Sequence, residues 1–278
     1  MLTKDDHRRD SAGLTYVYPV VSRRAGGVSI GINLNVNNAC NWACIYCQVE
    51  NLTRGGPAPI DIDLLETELK QFLDTALQGD FMRMHVDESQ RRLVDIAFSG
   101  NGEPTSAAEF PLAINVVRRI IKEFALEDKL LVRVITNGSL MYRSQVQYGI
   151  RLIGEMGGEI WFKIDRASVA RVNEVNRVQG DASRTQRHLE ISCSLAKTWV
   201  QTCWFALDGK APDALERDAY CRQLQPFSKS LEGIHLYSLA RPSMQPGAAR
   251  LARIPAPLLD EFAQEIETKT GIRVMVSP

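Results

Sequence analysis

The chain has 278 residues, 45% apolar and 24% charged, which excludes an intrinsically disordered protein and indicates a globular chain with a sizeable core. Its 33 basic and 33 acidic residues cancel, so no overall positive field favours nucleic acid. No stretch has the roughly 18 apolar residues of a membrane span, and the first residues, MLTKDDHRRDSAG, lack the apolar core of a signal peptide. We therefore expect a cytoplasmic protein, in which clustered cysteines more often bind metal or react than form disulfides.

Short β-rich runs alternate with longer helical patterns along the chain. Strands are predicted at 13–21, 26–36, 92–100, 129–138, 158–165, 198–209 and 233–242, and a short apolar run follows at 272–276. Helices are predicted at 61–77, 107–125, 144–157, from 165 to about 196, 212–225 and 255–271. Several strands are apolar on both faces, as in a parallel sheet covered by helices.

About six such β/α units with right-handed crossovers predict an α/β fold, a partial (β/α)6 TIM-like barrel. We expect an N-terminal extension with a short strand over 1–27 and one barrel domain over 28–278. In barrels of this kind the chemistry lies at the C-terminal ends of the strands, where the βα loops cluster.

Three of the six cysteines lie within the segment NNACNWACIYCQVEN, which follows the second predicted strand. Cys40, Cys44 and Cys47 have the spacing C-x3-C-x2-C, and thiolates this close together can share one iron–sulfur cluster or one soft metal ion. A closed zinc site would need a fourth Cys or His nearby, but no other cysteine precedes Cys193. Three cysteines on a four-iron cluster would leave one iron without a protein ligand. A zinc site completed by a distant residue is the alternative.

The next two predicted strands also end in polar loops. The first carries SGNGEPT, in which Gly100 and Gly102 would let the backbone approach a ligand closely and Glu103 would offer a carboxylate to a cation. A plain turn is the alternative for this loop. The second ends in ITNGSL, where Asn137 either contacts a ligand or belongs to a helix-capping turn in which Ser139 caps the following helix.

Later strands supply further polar candidates. Alternation along EIWFKID places Trp161, Lys163 and Asp165 on one face, which we expect to line the interior because the opposite face is wholly apolar. A buried lysine and aspartate are costly unless they pair or are used, so we expect either a structural ion pair or contact with a ligand. In TWVQTCWFALDG the inward face is left open by the pattern, and Gln201 is a candidate pocket donor. Arg241 would present a guanidinium at the barrel mouth, or form a loop salt bridge.

The cysteine spacing, with Tyr46 before the last cysteine, resembles that of the radical S-adenosylmethionine (SAM) enzymes. Five segments occur in the order found in the group of that superfamily that includes the tRNA wyosine-base synthases and uncharacterised bacterial relatives: VSRRAGGVSIGINL, CNWACIYCQ, SGNGEPT, WFKID and LARPSMQPG. The resemblance covers about 17–274. The wyosine synthases carry extra N-terminal cysteines for a second cluster, whereas the first cysteine here is Cys40. The resemblance therefore implies the cofactor chemistry rather than wyosine synthesis.

The resemblance implies a single catalytic domain with a [4Fe–4S] cluster on Cys40, Cys44 and Cys47, whose open iron is chelated by the amino and carboxylate groups of SAM. The implied SAM contacts are Tyr46 against the adenine, Gly100, Asn101, Gly102 and Glu103 at the methionine end, and Asn137, Lys163 and Gln201. Within this set Glu103 would receive the SAM amino group, and Lys163 or a neighbour the carboxylate. Asp165 and Arg241 are substrate candidates, and Asn176 and Arg177 are secondary ones. Reductive cleavage of SAM would give a 5′-deoxyadenosyl radical that abstracts hydrogen from the substrate, unless another carbon–sulfur bond of SAM breaks.

We expect a small-molecule or peptide substrate, because the barrel nearly uses up the chain. Many peptide-modifying relatives hold auxiliary clusters in a cysteine-rich C-terminal extension, and the lack of one here favours a small molecule. A reducing partner such as flavodoxin or ferredoxin is implied, and no membrane. An enzyme that modifies tRNA or another RNA base is the alternative among catalysts, and a non-catalytic metal-binding module is the alternative of another class. The remaining cysteines, Cys193, Cys203 and Cys221, are expected to be buried small hydrophobes.

Overall fold

The described chain is built on one eight-stranded sheet flanked by helices. The computed structural model describes residues 13–22 and 26–277, so most of the predicted N-terminal extension, MLTKDDHRRDSA included, lies outside the described residues. The strands are β1 (Val17–Ser22), β2 (Gly27–Ile32), β3 (Ala39–Cys40), β4 (Thr53–Arg54), β5 (Leu93–Phe98), β6 (Leu131–Thr136), β7 (Glu159–Lys163), β8 (Lys197–Cys203), β9 (Phe205–Leu207), β10 (Leu231–Tyr237), β11 (Leu251–Arg253) and β12 (Val274–Ser277). The helices are α1 (Ile62–Leu77), α2 (Phe81–His85), α3 (Phe110–Glu123), α4 (Ser144–Glu155), α5 (Val169–Asn176), α6 (Ala182–Leu195), α7 (Ala214–Leu224) and α8 (Ala256–Thr270).

The main sheet has the strand order β1-β2-β5-β6-β7-β8-β10-β12. Its strands from β2 to β12 run parallel, and only β1 is antiparallel to its neighbour. Among the described residues the edge strands β1 and β12 do not pair with each other, so the sheet does not close into a full barrel. The six parallel strands from β2 to β10 form the predicted partial barrel, and that fold class is confirmed. The domain boundary after residue 27 stays a prediction, although β1 pairs with β2 along its whole length.

The core lies between the sheet and the helices, as the strand pattern predicts. In β7, Ile160 and Phe162 point to the helix side and are 0% and 1% exposed. They belong to one continuous apolar cluster that includes buried residues of α1, α3, α4, α6, α7 and α8. The alternate residues of the strands therefore point into the barrel lumen, where the polar candidates lie.

Two local predictions differ from the structure, and the helical region predicted to about 196 is present with a break. Ser139 does not cap a helix, because α4 begins five residues later at Ser144 with Arg143 in the cap position, and the capping alternative is wrong. The predicted strand 198–209 is divided at Trp204, whose N–H donates to the Tyr237 carbonyl (2.8 Å), so β9 leaves the main sheet and pairs with β11. The helical region to 196 is two helices, α5 and α6, because Arg177 adopts a left-handed conformation (φ 53°) that ends α5.

The scattered cysteines fit their prediction in part. Cys203 and Cys221 are buried, and Cys193 is half-buried. In the part of the chain that the structure describes, no helix combines the length and the apolar character needed to cross a bilayer.

Candidate metal and cofactor site

A cavity of about 590 Å³ lies at the C-terminal ends of the parallel strands and continues into the barrel lumen. Every residue predicted from the sequence to hold the cluster or SAM lines this cavity: Cys40, Cys44, Tyr46, Cys47, Gly100, Asn101, Gly102, Glu103, Asn137, Lys163 and Gln201. Arg241 lines it too, whereas Asp165 lines a smaller neighbouring cavity of about 160 Å³. The structure thus brings the predicted residues together, and their individual roles stay predictions.

The cysteine loop, residues 40–47, is fixed at its start by the ends of β4 and β6. Arg54 Nη1 donates to the Asn41 carbonyl (3.0 Å). The Asn41 side chain accepts from Asn137 Nδ2 (2.8 Å) and donates to Ser139 Oγ (2.8 Å). The Trp42 N–H donates to Cys40 Sγ (3.5 Å). Asn137 and Ser139 therefore position the loop that carries Cys40, a role that the sequence analysis did not assign to Ser139.

The middle of the cysteine loop rests on the C-terminal end of α5. The backbone N–H groups of Ala43 and Ile45 donate to the Asn176 and Val175 carbonyls (3.3 and 2.9 Å), which have no further acceptor role inside the helix. Asn176 Nδ2 also donates to Cys44 Sγ (3.3 Å). Of the secondary candidates, Asn176 thus contacts the cysteine loop through both its backbone and its side chain.

The end of the cysteine loop is held by the segment 243–245, which follows β10. Ser243 Oγ donates to the Ile45 carbonyl (2.7 Å), and Gln245 Nε2 contacts the carbonyls of Cys47 (3.3 Å) and Val49 (2.7 Å). Residues 243–245 belong to the motif LARPSMQPG, in which the sequence pattern predicts a role for Arg241 only. Its distance from the cysteines in the sequence left no local signal for the contact.

The three thiols suit an iron–sulfur cluster by their chemistry and surroundings. They form no disulfide and face one cavity, and two of the sulfurs receive N–H donors. Burial raises the pKa of Cys40 to about 11 and that of Cys44 to about 12, so metal binding must displace their protons. Within the described residues, no three His, Cys, Asp or Glu side chains are grouped as a metal-ion site. The fit therefore rests on the donor set and on the shared cavity.

Glu103 joins the loop after β5 to the end of β6. Its Oε1 accepts from the Thr105 N–H (3.1 Å), Thr105 Oγ1 (2.6 Å) and Thr136 Oγ1 (2.6 Å), and its Oε2 accepts from the Asn137 N–H (2.6 Å). Burial raises the pKa of this carboxyl, and the four donors offset part of that effect. A carboxylate oxygen can accept two or more hydrogen bonds. The remaining acceptor capacity is thus on Oε2, at the cavity wall.

Gly100 and Gly102 are required by contacts within the protein. A Cβ on Gly100 would lie 2.3 Å from Asn33 Oδ1, and one on Gly102 would lie 2.2 Å from the Ala39 carbonyl oxygen. The sequence pattern predicts that these glycines make room for a ligand. In the structure they let the loop after β5 pack against the segment that leads into Cys40, although both also line the cavity.

Lys163 and Asp165 form the buried ion pair that was one of the two predicted alternatives. Lys163 Nζ lies 3.4 Å from Asp165 Oδ1 and 3.2 Å from the Tyr237 hydroxyl. Burial favours the neutral form of each partner, but the opposite charges prevail, so the pKa of Lys163 is raised and that of Asp165 is lowered. Lys163 still lines the cavity, and an ammonium has a third donor that neither partner uses.

Asp165 also contacts the cysteine loop. Its Oδ2 accepts from the Tyr46 hydroxyl (2.5 Å) and from Asn176 Nδ2 (2.9 Å), and its Oδ1 accepts from the Cys203 N–H (3.0 Å). The carboxylate is therefore saturated by the protein. It orients Tyr46 and Asn176, which leaves it little capacity to contact a substrate directly.

The lumen floor carries a charged cluster that the sequence analysis missed. Arg133 pairs with Asp95 and lies 3.2 Å from Glu159 Oε2, and Ser29 donates to the other Asp95 oxygen. Arg133 also stacks on Trp161, 5.0 Å from the ring centroid. The signal was present, since Asp95 and Arg133 interrupt apolar strands at inward positions. Periodicity alone did not show that the two strands are neighbours.

The position of Gln201 shows which face of β8 points into the barrel, a point that the sequence pattern left open. Its side chain lines the cavity together with Cys203, so this face of the strand points inward, and Val200 lies in the core on the other side. Gln201 is 3% exposed and lines the cavity. Its amide group can both donate and accept hydrogen bonds, so it is suited to contact a ligand there.

Comparisons with known proteins find partial sequence matches. No family model matches it. It is 31% identical over 136 residues to a UPF0026 protein of Helicobacter pylori and 26% identical over 164 residues to UPF0026 protein MJ1312 of Methanocaldococcus jannaschii, alignments that cover 48% and 59% of this chain. A protein of Brachyspira hyodysenteriae named GTPase Obg is 30% identical over 132 residues, or 46% of this chain. The matches span 38%, 44% and 16% of those relatives, less than half of each.

Solved structures share the fold at low sequence identity. The structure of anSMEcpe with bound AdoMet has a TM-score of 0.52 and 15% identity, over 88% of this chain and 63% of that one. HydG, a maturase of the [FeFe]-hydrogenase, has a TM-score of 0.53 and 11% identity, over 88% of this chain and 50% of that one. The chain therefore has the same mixed α/β fold as these structures.

Proposed function

We propose that the chain is a radical SAM enzyme that holds a [4Fe–4S] cluster on Cys40, Cys44 and Cys47 and binds SAM in the adjoining cavity. The observation that carries the proposal is the convergence of these thiols with Glu103 on one cavity at the C-terminal ends of parallel strands. When bound, the cluster and SAM supply one-electron cleavage of SAM. The structure of anSMEcpe with AdoMet, which shares the fold, supports the choice of cofactor.

Different residues at the cavity contact different groups of SAM. Oε2 of Glu103 retains acceptor capacity for the amino group, and the third donor of Lys163 suits the carboxylate. Tyr46 lies in the cavity wall with its hydroxyl already bound to Asp165, which leaves its ring to contact the adenine. Asn101 and Asn137 add polar groups at the same rim.

The substrate enters the barrel lumen beyond SAM. The cavity of about 590 Å³ falls in the range of small-molecule sites, and its deeper part is lined by Asp95, Arg133, Trp161 and Gln201. These groups suit a small polar molecule or one side chain of a peptide. A reducing partner such as flavodoxin or ferredoxin supplies the electron.

GTP hydrolysis is not proposed, despite the name of one relative. That match spans 16% of the relative. No segment of this sequence has the pattern G-x4-G-K-S/T, whose backbone N–H groups and lysine hold nucleotide phosphates.

The test is anaerobic reconstitution with iron and sulfide, followed by metal analysis and incubation with SAM. We expect about four irons per chain and, after reduction with dithionite, release of 5′-deoxyadenosine or another SAM cleavage product. Cys44→Ala should lose both. Cys193→Ala is the matched control, because Cys193 does not line the cavity, and it should retain both.

Three outcomes would contradict the proposal. Full iron content and SAM cleavage in Cys44→Ala would remove the cluster assignment. One zinc and no sulfide would favour a non-catalytic metal-binding module. RNA binding that weakens steeply with salt would move the substrate from a small molecule to RNA, as in the tRNA wyosine synthases that the sequence resembles.

A further inference from the structure

Asn176 is the polar side chain that joins α5 to Cys44. It is the last residue of α5 and is 2% exposed. Its Nδ2 donates to Cys44 Sγ (3.3 Å) and to Asp165 Oδ2 (2.9 Å), while its carbonyl accepts from the Ala43 N–H (3.3 Å). The side-chain amide and the backbone carbonyl of Asn176 are therefore both bound to the cysteine loop.

The contacts determine which end of the amide faces the sulfur. Amide oxygen and nitrogen are assigned from the hydrogen-bond network. Asp165 has a lowered pKa and is a carboxylate that only accepts, so the atom of Asn176 that faces it must be the NH2 group. The same nitrogen lies 3.3 Å from Cys44 Sγ, and its second hydrogen is free to point there.

Asp165 is itself held in place. It pairs with Lys163 and accepts from the Cys203 N–H at the end of β8. The donor to Cys44 is therefore preorganised by the sheet, because the amide moves only if the carboxylate moves.

An N–H donor on a cluster sulfur stabilises negative charge on that sulfur. Reduction of a four-iron cluster adds one electron, and hydrogen bonds to the sulfurs are one of the factors that set its reduction potential. A donor therefore favours the reduced cluster and raises the potential. The donors to Cys40 include the backbone N–H of Trp42, whereas the donor to Cys44 is a side chain that can be exchanged.

We propose that Asn176 sets the reduction potential of the cluster by donating a hydrogen bond to the Cys44 thiolate, with Asp165 as the positioning residue that aims the amide. The inference rests on the proposed cluster. One electron enters from an external reductant, no bond breaks, and the amide proton stays on Asn176. The amide tunes the cluster and does not ligate it.

The test compares Asn176→Leu with the unaltered protein after reconstitution. Leucine is close to asparagine in shape and removes the donor. Stepwise reduction with dithionite, in the presence of redox mediators and without SAM, is followed by the electron paramagnetic resonance signal of the reduced cluster. We expect unchanged iron content and a midpoint potential shifted to more negative values.

Asn173→Leu is the matched control. Asn173 lies one turn earlier on α5, is exposed, and its side chain accepts from the Gly180 N–H without contacting a cysteine. The midpoint potential of the cluster in Asn173→Leu should equal that in the unaltered protein. Asn176→Ala, which also removes the donor but leaves space, should shift the potential in the same direction as Asn176→Leu.

The outcomes separate this inference from the proposed function. A cluster with an unchanged potential in both Asn176 variants would overturn the inference alone. Loss of the cluster in both variants, with the unaltered protein loaded, would also overturn it, because Asn176 would then hold the loop instead of tuning the metal. Absence of a cluster from the unaltered protein would overturn the proposed function.

Discussion

Glu103 shows how one carboxylate can prepare a ligand site by organising backbone. Its four donors come from the loop after β5 and the end of β6, and one of them is the backbone N–H of Asn137, whose side chain donates to Asn41. A ligand that meets this carboxylate therefore finds it preorganised. Displacement of the Glu103 carboxylate would disturb both the loop after β5 and the end of β6.

Glu103→Gln should destabilise the protein even without metal. A glutamine NH2 would face at least one of the donors, and a buried polar group left without a partner costs about 1–3 kcal/mol. Urea unfolding of the metal-free protein measures the loss in the free energy of unfolding. Glu127→Gln, at an exposed position, should stay within about 0.5 kcal/mol of the unaltered protein. Equal stability of the two variants would contradict the described network.

Arg133 forms ion pairs with two carboxylates in the lumen, so its replacement should strongly lower the free energy of unfolding. Arg133→Met would leave Asp95 and Glu159 without their cation at side-chain exposures of 4% and 18%. Breaking a buried ion pair on one side costs about 3–5 kcal/mol. The double variant Asp95→Asn with Arg133→Met should regain part of that loss in urea unfolding. If the double variant were as unstable as the sum of its single changes, the two residues would not be coupled.

At the scale of elements, α6 contains a buried histidine that reports on packing against the end of β6. His188 is 6% exposed, stacks on Tyr142 with ring centroids 5.9 Å apart, and has a pKa lowered first by burial and also by Arg184 and Arg187. A hydrogen bond to the Gly138 backbone and the charge of Asp181 act in the opposite direction. The folded protein therefore favours neutral His188.

This lowered pKa predicts a loss of stability in mild acid. The contribution of His188 is complete above its unfolded pKa of about 6.5 and is lost as the pH falls from there through the folded pKa, because the unfolded chain binds the proton first. Unfolding free energies measured from pH 7.5 to 5 should fall less steeply in His188→Gln than in the unaltered protein. Parallel curves would show that His188 contributes nothing to the slope.

The segment 243–245 should control how often Cys47 becomes accessible. Gln245→Leu removes the side-chain donor to the Cys47 and Val49 carbonyls, and each hydrogen bond contributes about 1 kcal/mol. Local opening should become about fivefold to thirtyfold more frequent, with matching acceleration of Cys47 alkylation by iodoacetamide in the metal-free protein. Gln147→Leu, which loses a bond from α4 to the Met141 carbonyl, is the control and should leave the rate unchanged. Identical rates in both variants would mean that this segment does not restrain Cys47.

The elements and the cysteine site were predictable to different degrees. Period and composition located the six β/α units, since a strand such as Glu159–Lys163 alternates strictly between helix-facing and lumen-facing residues. The cysteine spacing and the family resemblance predicted that Cys40 and Glu103 belong to one site, and both residues line the same cavity. The sequence could not show that Asp165 would be saturated by Tyr46 and Asn176, because those contacts join residues 119 and 11 positions away.

Other features depended on the register between neighbouring strands. The pairing of Arg133 with Asp95 and Glu159 arises only when β5, β6 and β7 lie side by side. The break at Trp204 follows from its bond to the Tyr237 carbonyl, and propensity alone favours a continuous strand there.

At the scale of the whole molecule, SAM should stabilise the reconstituted protein as a single unit. A ligand that binds only the folded state at 100 times its Kd adds about 2.7 kcal/mol to the free energy of unfolding. Anaerobic thermal unfolding should therefore shift upward by several degrees with SAM, and Cys44→Ala should show no shift. A shift of equal size in that variant would mean that SAM binds away from the cysteines.

The way the cysteine loop is held has a consequence for synthesis of the chain. The contacts that hold this loop include those from α5 and from Ser243, which lies 198 residues beyond Ile45. A ribosome makes the chain from the N-terminus, so the three cysteines emerge long before the segments that position them. Iron inserted at that stage would meet a loop of unrestrained thiols open to the wrong metal and to oxidation. If the loop holds the proposed cluster, it reaches the geometry that suits the metal only after translation has passed residue 245.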